Sequence, residues 1–379
     1  MLQQQKALFN LPAHITYLNG AYMSPQLKTV EEAGISAVQL KSHPHRITAE
    51  HFFDRRSLLL ERFGQLLNAN PVNCAIIPSV SYGMANVANN IKLHRGDEIL
   101  LVDEQFPSNV YPWKSLAKKY SGKLNVITPP SHFKQRGQQW NQAILDAITS
   151  KTKVVAMPQI HWADGTLFNL MAIRQKTKEV GALLVIDGTQ SIGALPFSVK
   201  EIQPDALICG GYKWLLGPYA LGMAYYGDAF LDGEPIEDSW MNRFKSEDFT
   251  NLTQYQDQFQ AGAARFSVGE SSNFILVPML TKAIEQLLAW EPKNIQAYCK
   301  TISQPAINAL RSKGYLIEEE AYSASHLFGV YLPEHSNMEN IKEKLTAKNI
   351  IVSYRGKAIR VSPNVYNTPE DFNALVSQF

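Results

Sequence analysis

Two short apolar runs, each ending where polar residues or glycines begin, stand out in the pattern of hydrophobic and polar positions. The first, residues 183–186, ends at Asp187. The second, residues 206–209, ends at two glycines, and Lys213 follows. Continuous runs of this length, partly β-branched, are typical of strands buried on both faces. The pattern therefore predicts two buried strands, each of which delivers one charged residue.

The rest of the chain alternates between apolar runs and apolar positions at helical spacing, which predicts an α/β fold. Further strands are expected at the start of 15–25 and at 73–78, 98–102, 123–127, 153–157, 220–226, 330–332, 350–353 and 358–361, and helices at 27–40, 84–91, 140–147, 273–288, 294–312 and 338–348. The segment 239–270 has few apolar runs, and a loop this long is usually functional.

A chain of 379 residues, 45% hydrophobic and 18% charged, is typical of a globular enzyme and is long for one core. We expect an N-terminal segment at residues 1–19 that packs with the small domain, a large domain at 20–272 that contains both buried strands, and a small C-terminal domain at 273–379. A net charge of +2 with no block of like charge gives no reason to expect nucleic acid or an anionic membrane as partner.

Localisation and metal content follow from what the sequence lacks. The start has no apolar core of a secretion signal, and no run of about 18 apolar residues occurs, so a cytoplasmic protein is expected. Cys74, Cys209 and Cys299 share no metal-ligand spacing and are typical of apolar core residues in a reducing compartment. We predict neither a disulfide nor a metal site.

Asp187 and Lys213 are candidates for cofactor chemistry, because open α/β sheets bind ligands at the carboxyl ends of their parallel strands. Pyridoxal phosphate requires an acid for its ring nitrogen and a lysine for its aldehyde, and these residues fit the two roles. Taken singly, an aspartate here is often a helix N-cap and a lysine after two glycines a solvated loop residue. The presence of both, with Gln190 one turn past the acid, favours the cofactor.

This segment resembles the cofactor-lysine region of class V aminotransferases, the fold-type I pyridoxal-phosphate enzymes that include kynureninase, isopenicillin N epimerase and cysteine desulfurase. The resemblance implies a mostly parallel seven-stranded sheet between helices, a smaller C-terminal α/β domain and a homodimer with shared active sites. It implies that Lys213 forms the internal aldimine (Schiff base), that Asp187 pairs with the pyridine nitrogen, and that Gln190 bonds the ring hydroxyl.

Residues 79–83, between a strand and a helix, aim backbone N–H groups and a positive dipole end outward, which suits a phosphate. The alternative is that the serines there only cap the helix. The resemblance assigns the phosphate to Val80 and Ser81 and to Tyr212. It also nominates Phe106 to lie flat on the pyridine ring, with core packing as its alternative.

Arg360 lies in an apolar strand, where an arginine is costly to bury without an anion, and its forked guanidinium suits a carboxylate. The resemblance places the arginine that binds the substrate α-carboxylate in this Arg-x-Ser-Pro-x-x-Tyr-Asn stretch, with Arg355 as a second candidate. It also makes Asn19 and Ala21 candidates for the substrate side of the pocket. An Asn-Gly pair is equally typical of a simple turn.

The loop at 158–166 departs from the family. Trp162 stands where cysteine desulfurases have an asparagine, so Gln159 or His161 is a candidate to replace that contact. His161 is a possible acid or base, but a loop histidine without a partner is more often structural. In the segment 239–270, Arg243 and Arg265 are candidates to meet phosphate or a carboxylate, or to form surface ion pairs.

The expected function is that of an enzyme acting on a free α-amino acid by transamination. Epimerisation and side-chain cleavage share the same cofactor chemistry and remain alternatives, as does a non-catalytic protein that keeps the fold for binding. A cysteine desulfurase mechanism is disfavoured, because residues 322–360 contain no cysteine to serve as nucleophile.

Overall fold

The computed structural model of the protein describes residues 2–334 and 336–379. The helices are α1 (Lys28–Lys41), α2 (Asp54–Leu67), α3 (Val80–Asn89), α4 (Tyr111–Tyr120), α5 (Arg136–Ala147), α6 (Leu170–Val180), α7 (Val199–Ile202), α8 (Leu276–Trp290), α9 (Pro292–Ser312), α10 (Met338–Ala347) and α11 (Pro369–Val376). The strands are β1 (Thr16–Tyr17), β2 (Cys74–Ile77), β3 (Glu98–Val102), β4 (Lys123–Ile127), β5 (Thr152–Pro158), β6 (Leu183–Asp187), β7 (Ala206–Gly210), β8 (Gly222–Tyr226), β9 (Phe328–Tyr331), β10 (Ile350–Ile351), β11 (Ser353–Arg355) and β12 (Ala358–Val361).

A seven-stranded sheet forms the centre of the molecule, in the order β2-β8-β7-β6-β5-β3-β4. Strands β3 to β7 pair in parallel, whereas β8 runs antiparallel to both β2 and β7. This is the mostly parallel seven-stranded sheet expected from the sequence, and its antiparallel strand, β8, is the one that follows Lys213. The prediction of a fold-type I architecture is confirmed.

The central strands of the sheet, such as β6 and β7, are almost entirely apolar because helices cover both faces of the sheet. Successive residues of a strand point to opposite faces, so Leu184 and Ile186 join one core cluster while Val185 joins the other. Helices α1, α2 and α8 pack on the first face, and α3 and α4 on the second. Burial on both faces is the physical reason that a run of four apolar residues, without alternation, predicted each central strand.

A smaller layer follows at the C-terminal end of the chain. Strands β11, β12 and β9 form an antiparallel sheet that packs with α9, α10 and α11, and β1 pairs in parallel with β10. Helix α8 contacts α1 and α2, whereas α9 contacts α11. The chain therefore passes from the large layer to the small one around α8 and α9, and the domain boundaries at residues 19 and 272 stay a prediction.

The segment 239–270 contains only isolated short turns of 3-10 helix, at Trp240–Asn242, Phe249–Asn251 and Gly262–Phe266. Buried Arg56 of α2 holds it to the body of the protein by donating to the Asn242 side chain at 3.0 Å and to the Met241 carbonyl at 3.3 Å. Within residues 2–334 and 336–379, no helix is long and apolar enough to cross a membrane.

Candidate active site

Asp187 and Lys213 reach the same edge of the central sheet. Strands β6 and β7 are parallel neighbours, with Asp187 in register with Ile208, and Lys213 comes three residues after β7. Both side chains line one cavity of about 360 Å³. Its lining also includes Pro78, Ser79, Val80, Ser81, Gln105, Phe106, Ser108, Pro158, Ile160, Trp162, Thr189, Gln190, Gly210, Tyr212, Tyr219, Ala220 and Leu221.

Lys213 is nearly inaccessible to solvent, with 6% of its surface exposed. Its Nζ atom lies 5.3 Å from the centroid of the Phe106 ring and 5.5 Å from that of Tyr212. Burial, together with the charges of Arg360 and Arg355, lowers the pKa of Lys213 to about 8, against the opposing charge of Asp187. The amine therefore deprotonates far more readily than that of an ordinary lysine, and the uncharged amine is the form that attacks an aldehyde.

Asp187 is a buried carboxylate with a backbone partner. Its Oδ1 atom accepts a hydrogen bond from the Thr189 N–H at 3.0 Å, and the Thr189 hydroxyl accepts one from the Gly210 N–H at 3.3 Å. Burial raises the pKa of Asp187, while the bonds from Thr189 and the charge of Lys213 pull it down. A carboxylate desolvated to this degree is stabilised by a protonated ring nitrogen placed against it.

The side chain of Gln190 is fixed by two hydrogen bonds. The Trp214 indole N–H donates to its Oε1 at 2.8 Å, and its Nε2 donates to the Ala21 carbonyl at 3.1 Å. In the described part of the chain, the second N–H of this amide has no acceptor, and Gln190 lines the cavity. Ala21 does not line the cavity, so its backbone supports Gln190 from behind.

His326, which no sequence pattern indicated, holds the backbone of Gln190. The Ser325 N–H donates to Gln296 Oε1 at 3.0 Å, which orients that amide so that its Nε2 donates to His326 Nδ1 at 2.7 Å. The other ring nitrogen, Nε2, then carries the proton and donates to the Gln190 carbonyl at 2.7 Å. Burial lowers the pKa of His326 to about 4, so the ring is neutral at pH 7.

The start of helix α3 forms one end of the cavity. Ser79 caps the helix by accepting a hydrogen bond from the Tyr82 N–H at 3.2 Å, and its hydroxyl lies 2.9 Å from that of Ser81. Val80 and Ser81 line the cavity in the first helical turn. Tyr212 lines it too, with its ring edge-on to Tyr219 at 4.7 Å. Capping and phosphate binding, which the sequence left as alternatives, are compatible here.

Phe106 lies at the cavity and not in the core. Its side chain is 38% exposed, and its ring packs edge-on against Trp162 with centroids 5.5 Å apart. Trp162 also lines the cavity, and its indole N–H donates to the Glu104 carbonyl at 2.7 Å. Two aromatic rings therefore form the wall beside Lys213.

Arg360 is 1% exposed and has no carboxylate partner among the described residues. It donates to the Trp162 carbonyl at 2.7 Å and to the Ser353 hydroxyl at 3.4 Å, and its Nε atom is buried without a partner. Burial, together with the charge of Arg355, lowers the pKa of Arg360 to about 9. Arg360 and Asn19 are not among the cavity-lining residues; Asn19 accepts a hydrogen bond from Ser353 at 2.7 Å.

The two candidates in the loop after β5 are buried but do not line the cavity. His161 is buried between Asp164, at 3.2 Å, and the Asp103 carbonyl, at 3.2 Å. Asp164 in turn pairs with Arg136 at 2.8 Å, so His161 belongs to a structural ion cluster. Neither Gln159 nor His161 lines the cavity.

The cavity-lining residues that were missed from the sequence include two polar ones that support their neighbours, Gln105 and Thr189. Gln105 is buried, donates to the Ala156 carbonyl at 3.2 Å and accepts from the Asn109 side chain at 2.8 Å. Thr189 holds Asp187, as described above. Both are polar residues just past the end of a strand, and this position in the sequence could have identified them as candidate site residues.

Comparisons with known proteins identify the family of the chain. The model of the family Aminotransferase class-V matches residues 59–375. An uncharacterized aminotransferase of Bacillus subtilis, YcbU, is 26% identical over 317 residues, which are 83% of this chain and 80% of that protein. A probable cysteine desulfurase of Pyrococcus abyssi is 30% identical over 178 residues, but the match covers only 44% of this chain and 41% of the relative.

Solved structures show the same fold. A form of C-DES with glycine covalently linked to its PLP cofactor has a TM-score of 0.88 at 19% identity, with 98% of each chain covered. The cysteine desulfurase of Thermococcus onnurineus has a TM-score of 0.84 at 18% identity, covering 100% of this chain and 97% of the other. The chain belongs to the class V aminotransferase family, and its cofactor is pyridoxal phosphate.

Proposed function

We propose that the protein is a pyridoxal-phosphate enzyme that transaminates a free α-amino acid, with Lys213 as its catalytic residue. The observation that carries the proposal is the pairing of a buried, easily deprotonated lysine with a buried arginine that lacks an anion. Lys213 suits covalent attachment of an aldehyde, and Arg360 suits a carboxylate. An α-amino acid presents its amine and its carboxylate on one carbon.

The cavity residues fit the parts of the cofactor. Asp187 would keep the ring nitrogen protonated, and the free N–H of Gln190 would bond the ring hydroxyl. Val80, Ser81 and Tyr212 would hold the phosphate through the helix N-terminus and a hydroxyl. Phe106 would cover the ring and exclude water. When bound, pyridoxal phosphate supplies an electron sink for charge that develops at the substrate α-carbon.

Lys213 would also handle the proton of the substrate. With its pKa near 8, the amine accepts and returns a proton with little driving force either way at neutral pH, which favours general acid–base catalysis. Arg360, held by the Trp162 carbonyl and the Ser353 hydroxyl, would fix the substrate carboxylate and so aim the α-carbon. Asn19 supports this through Ser353.

A lyase is the second candidate, because relatives named cysteine desulfurase occur among the matches. A mechanism that needs a protein thiol is disfavoured, since Cys74, Cys209 and Cys299 are all buried. Burial raises the pKa of both Cys74 and Cys299 to about 12 and that of Cys209 still higher. Elimination or epimerisation without a protein thiol remains compatible with the site.

Products distinguish these reactions. The loaded protein is incubated with each of the common amino acids, and the cofactor spectrum, ammonia, 2-oxo acid and D-amino acid are measured. Transamination gives a stoichiometric 2-oxo acid with the amino group retained on the cofactor. Release of ammonia indicates a lyase, a D-amino acid indicates an epimerase, and no reaction with any of them supports a non-catalytic role.

Arg360→Lys tests substrate anchoring separately from cofactor binding. The lysine keeps the charge but loses the fork, and hydrogen bonds to charged groups contribute about 1.5–3 kcal/mol each. We expect a loss of tenfold or more in kcat/KM toward amino acids, with the cofactor spectrum unchanged. Unchanged kinetics would mean that another arginine binds the carboxylate.

We also propose that the protein is a homodimer, with an aromatic surface formed by Phe52, just before α2, Phe274 and the segment 239–270 as its interface. Trp240 is 42% and Phe249 40% exposed, and Phe249 packs edge-on against Phe52 at 5.4 Å. Phe274 packs on Phe52 at 4.9 Å. Exposed aromatic clusters of this kind are typical of protein interfaces. Sedimentation at micromolar concentration tests the dimer; a monomer that turns over substrate would contradict shared sites.

The unpaired cysteines also support the expectation of a cytoplasmic protein, since buried thiols without a disulfide are usual in a reducing compartment.

A further inference from the structure

Two arginines, not one, extend from the hairpin that carries the proposed carboxylate site. Strands β11 and β12 are antiparallel, and their register pairs Ser353 with Arg360 and Arg355 with Ala358. Paired residues share a face of the sheet, as do residues two apart on one strand. Arg355 and Arg360 therefore lie on the same face of the hairpin.

Both guanidinium groups lie against one residue of the cavity wall. The Cζ atom of Arg355 is 5.3 Å from the centroid of the Trp162 ring, and that of Arg360 is 5.9 Å away. Trp162 lines the cavity and contacts Phe106. Neither arginine is among the cavity-lining residues, but both lie against Trp162 of the wall, and the charge of each lowers the pKa of Lys213.

The charge of this pair is not compensated within the described residues. No described carboxylate forms a salt bridge with either arginine, and the Nε atom of each is buried without a partner. Arg355 makes one side-chain hydrogen bond, to the carbonyl of its neighbour Tyr354 at 2.8 Å. Burial lowers the pKa of Arg355, and the charge of Arg355 contributes to the lowered pKa of Arg360.

A single substrate carboxylate can neutralise only one of the two guanidinium groups. Arg360, the more deeply buried, suits the α-carboxylate; Arg355, half-buried, then has no counterpart in a substrate with an uncharged side chain. Among the described residues, Asp187 and Lys213 are the only charged groups that line the cavity, and Asp187 is assigned to the cofactor. Apart from Asp187, whose charge the ring nitrogen of the cofactor would offset, the lining has no carboxylate that would repel a second anion beside Trp162.

We propose that Arg355 binds a carboxylate on the side chain of the substrate, so that the enzyme acts on acidic α-amino acids. The inference rests on the proposed function, because it presumes that an amino acid occupies the cavity with its α-carboxylate at Arg360. It makes Arg355 a specificity-determining residue. The loss of Arg355 should affect acidic substrates and spare their neutral counterparts.

The first test uses two substrate pairs of matched shape, glutamate with glutamine and aspartate with asparagine. We expect the loaded wild-type protein to prefer the acid of at least one pair by about 10- to 100-fold in kcat/KM, the range of one charge-assisted hydrogen bond or a bidentate pair. Arg355→Gln should remove that preference by lowering kcat/KM for the acidic substrate while leaving kcat/KM for its amide unchanged. Arg355→Lys, which keeps the charge without the fork, should retain part of it.

Lys357→Gln is the matched control. It removes the same charge from the turn of the same hairpin, and Lys357 is exposed to solvent. Lys357→Gln should keep the wild-type preference for acidic substrates. Comparison with Arg355→Gln therefore separates the loss of a local contact from a general effect of removing one positive charge. A preference that falls equally in Arg355→Gln and Lys357→Gln would overturn the proposal.

The second test needs no turnover. Glutarate and its monoamide lack an amino group, so their binding to the loaded protein is measured by calorimetry. Wild type should bind glutarate at least tenfold more tightly than the monoamide, and Arg355→Gln should bind the two alike. Equal weakening of both ligands would place Arg355 on a carboxylate that they share and overturn the inference.

The outcomes also separate the inference from the proposed function. Turnover of neutral amino acids with no acid preference in the wild type would overturn the role of Arg355 and leave the amino-acid enzyme intact. Failure of all amino acids to react, with cofactor bound, would overturn both.

Discussion

The indole N–H of Trp214 donates to the side-chain oxygen of Gln190 at 2.8 Å. Trp214 directly follows Lys213, and Gln190 lies three residues past Asp187. This bond therefore joins the turn that carries the lysine to the loop that carries the acid. A cofactor held by both needs a fixed distance between them, and a buried hydrogen bond between their neighbours supplies it.

Trp214→Phe tests this bond. The substitution leaves the buried Oε1 of Gln190 without a donor, which costs about 1–3 kcal/mol. We expect a lower midpoint of urea unfolding and faster loss of pyridoxal phosphate on dialysis. Trp140→Phe is the control, since Trp140 is equally buried and donates to the Ile127 carbonyl at 2.9 Å away from the cavity. Equal cofactor loss in the two variants would contradict the assignment.

The lowered pKa of Lys213 predicts how cofactor attachment depends on pH. The uncharged amine is the reactive form, so the rate at which cofactor-free protein takes up pyridoxal phosphate should rise with pH and level off above about 8. With a lysine of ordinary pKa, the uptake rate would continue to rise up to about pH 10.4. Stopped-flow absorbance measures the profile.

Arg360→Met should move this inflection to higher pH. Removing a nearby positive charge favours the protonated amine, so the pKa of Lys213 rises. An inflection near pH 10.4 in the wild type, or one that does not move in the variant, would contradict the electrostatic account.

His326 predicts a pH-dependent stability. Its pKa is about 4 in the folded protein and about 6.5 when unfolded. Between these values the unfolded chain binds more protons, so this contribution is fully present above pH 6.5 and is lost as the pH falls toward 4. The maximum effect is about 3 kcal/mol for a shift of this size.

His326→Gln isolates that contribution. The variant cannot take up the proton, so its melting temperature should fall less than that of the wild type between pH 7 and pH 5. Parallel decreases would show that His326 is not buried as a neutral ring.

The ion cluster around Arg136 should be important for stability. Arg136 pairs with Asp164 at 2.8 Å and Glu318 at 3.3 Å, and it joins helix α5 to the C-terminal part of the chain. Arg136→Met leaves two buried carboxylates without their partner, a change that typically costs 3–5 kcal/mol. Lys176→Met, which breaks the exposed pair with Glu179, should cost at most about 1 kcal/mol. Urea unfolding at pH 7 measures both.

The strands of the central sheet were largely predictable from the sequence, because buried parallel strands are apolar without alternation, whereas helices α2, α4, α6, α7 and α11 were not predicted. The run at 98–102 and the structure's β3 coincide residue for residue, and helix α10 differs from its prediction by one residue. The predicted strand at 350–353 is instead divided into β10 and β11, which pair with different strands. Apolar content alone does not encode a change of pairing partner.

The site was less predictable where side chains act through others. Asp187, Lys213 and Phe106 could be placed from strand ends, since the topology determines where these lie. Ala21 was a candidate for the substrate side of the pocket, but the support that its carbonyl gives to Gln190 could not be predicted, because a backbone contact does not depend on the identity of the residue. His326 lies in an irregular segment far along the chain, and only the fold brings it to Gln190.

The central claim is that Lys213 holds the cofactor, and borohydride reduction followed by peptide mapping tests it most directly. Reduction of the loaded protein should fix one pyridoxyl phosphate group per chain, on the peptide that contains Lys213. Lys213→Ala should remain unlabelled, while Lys200→Ala, at an exposed position, should be labelled as the wild type is. A pyridoxyl group on any other lysine, or continued labelling of Lys213→Ala, would contradict the account.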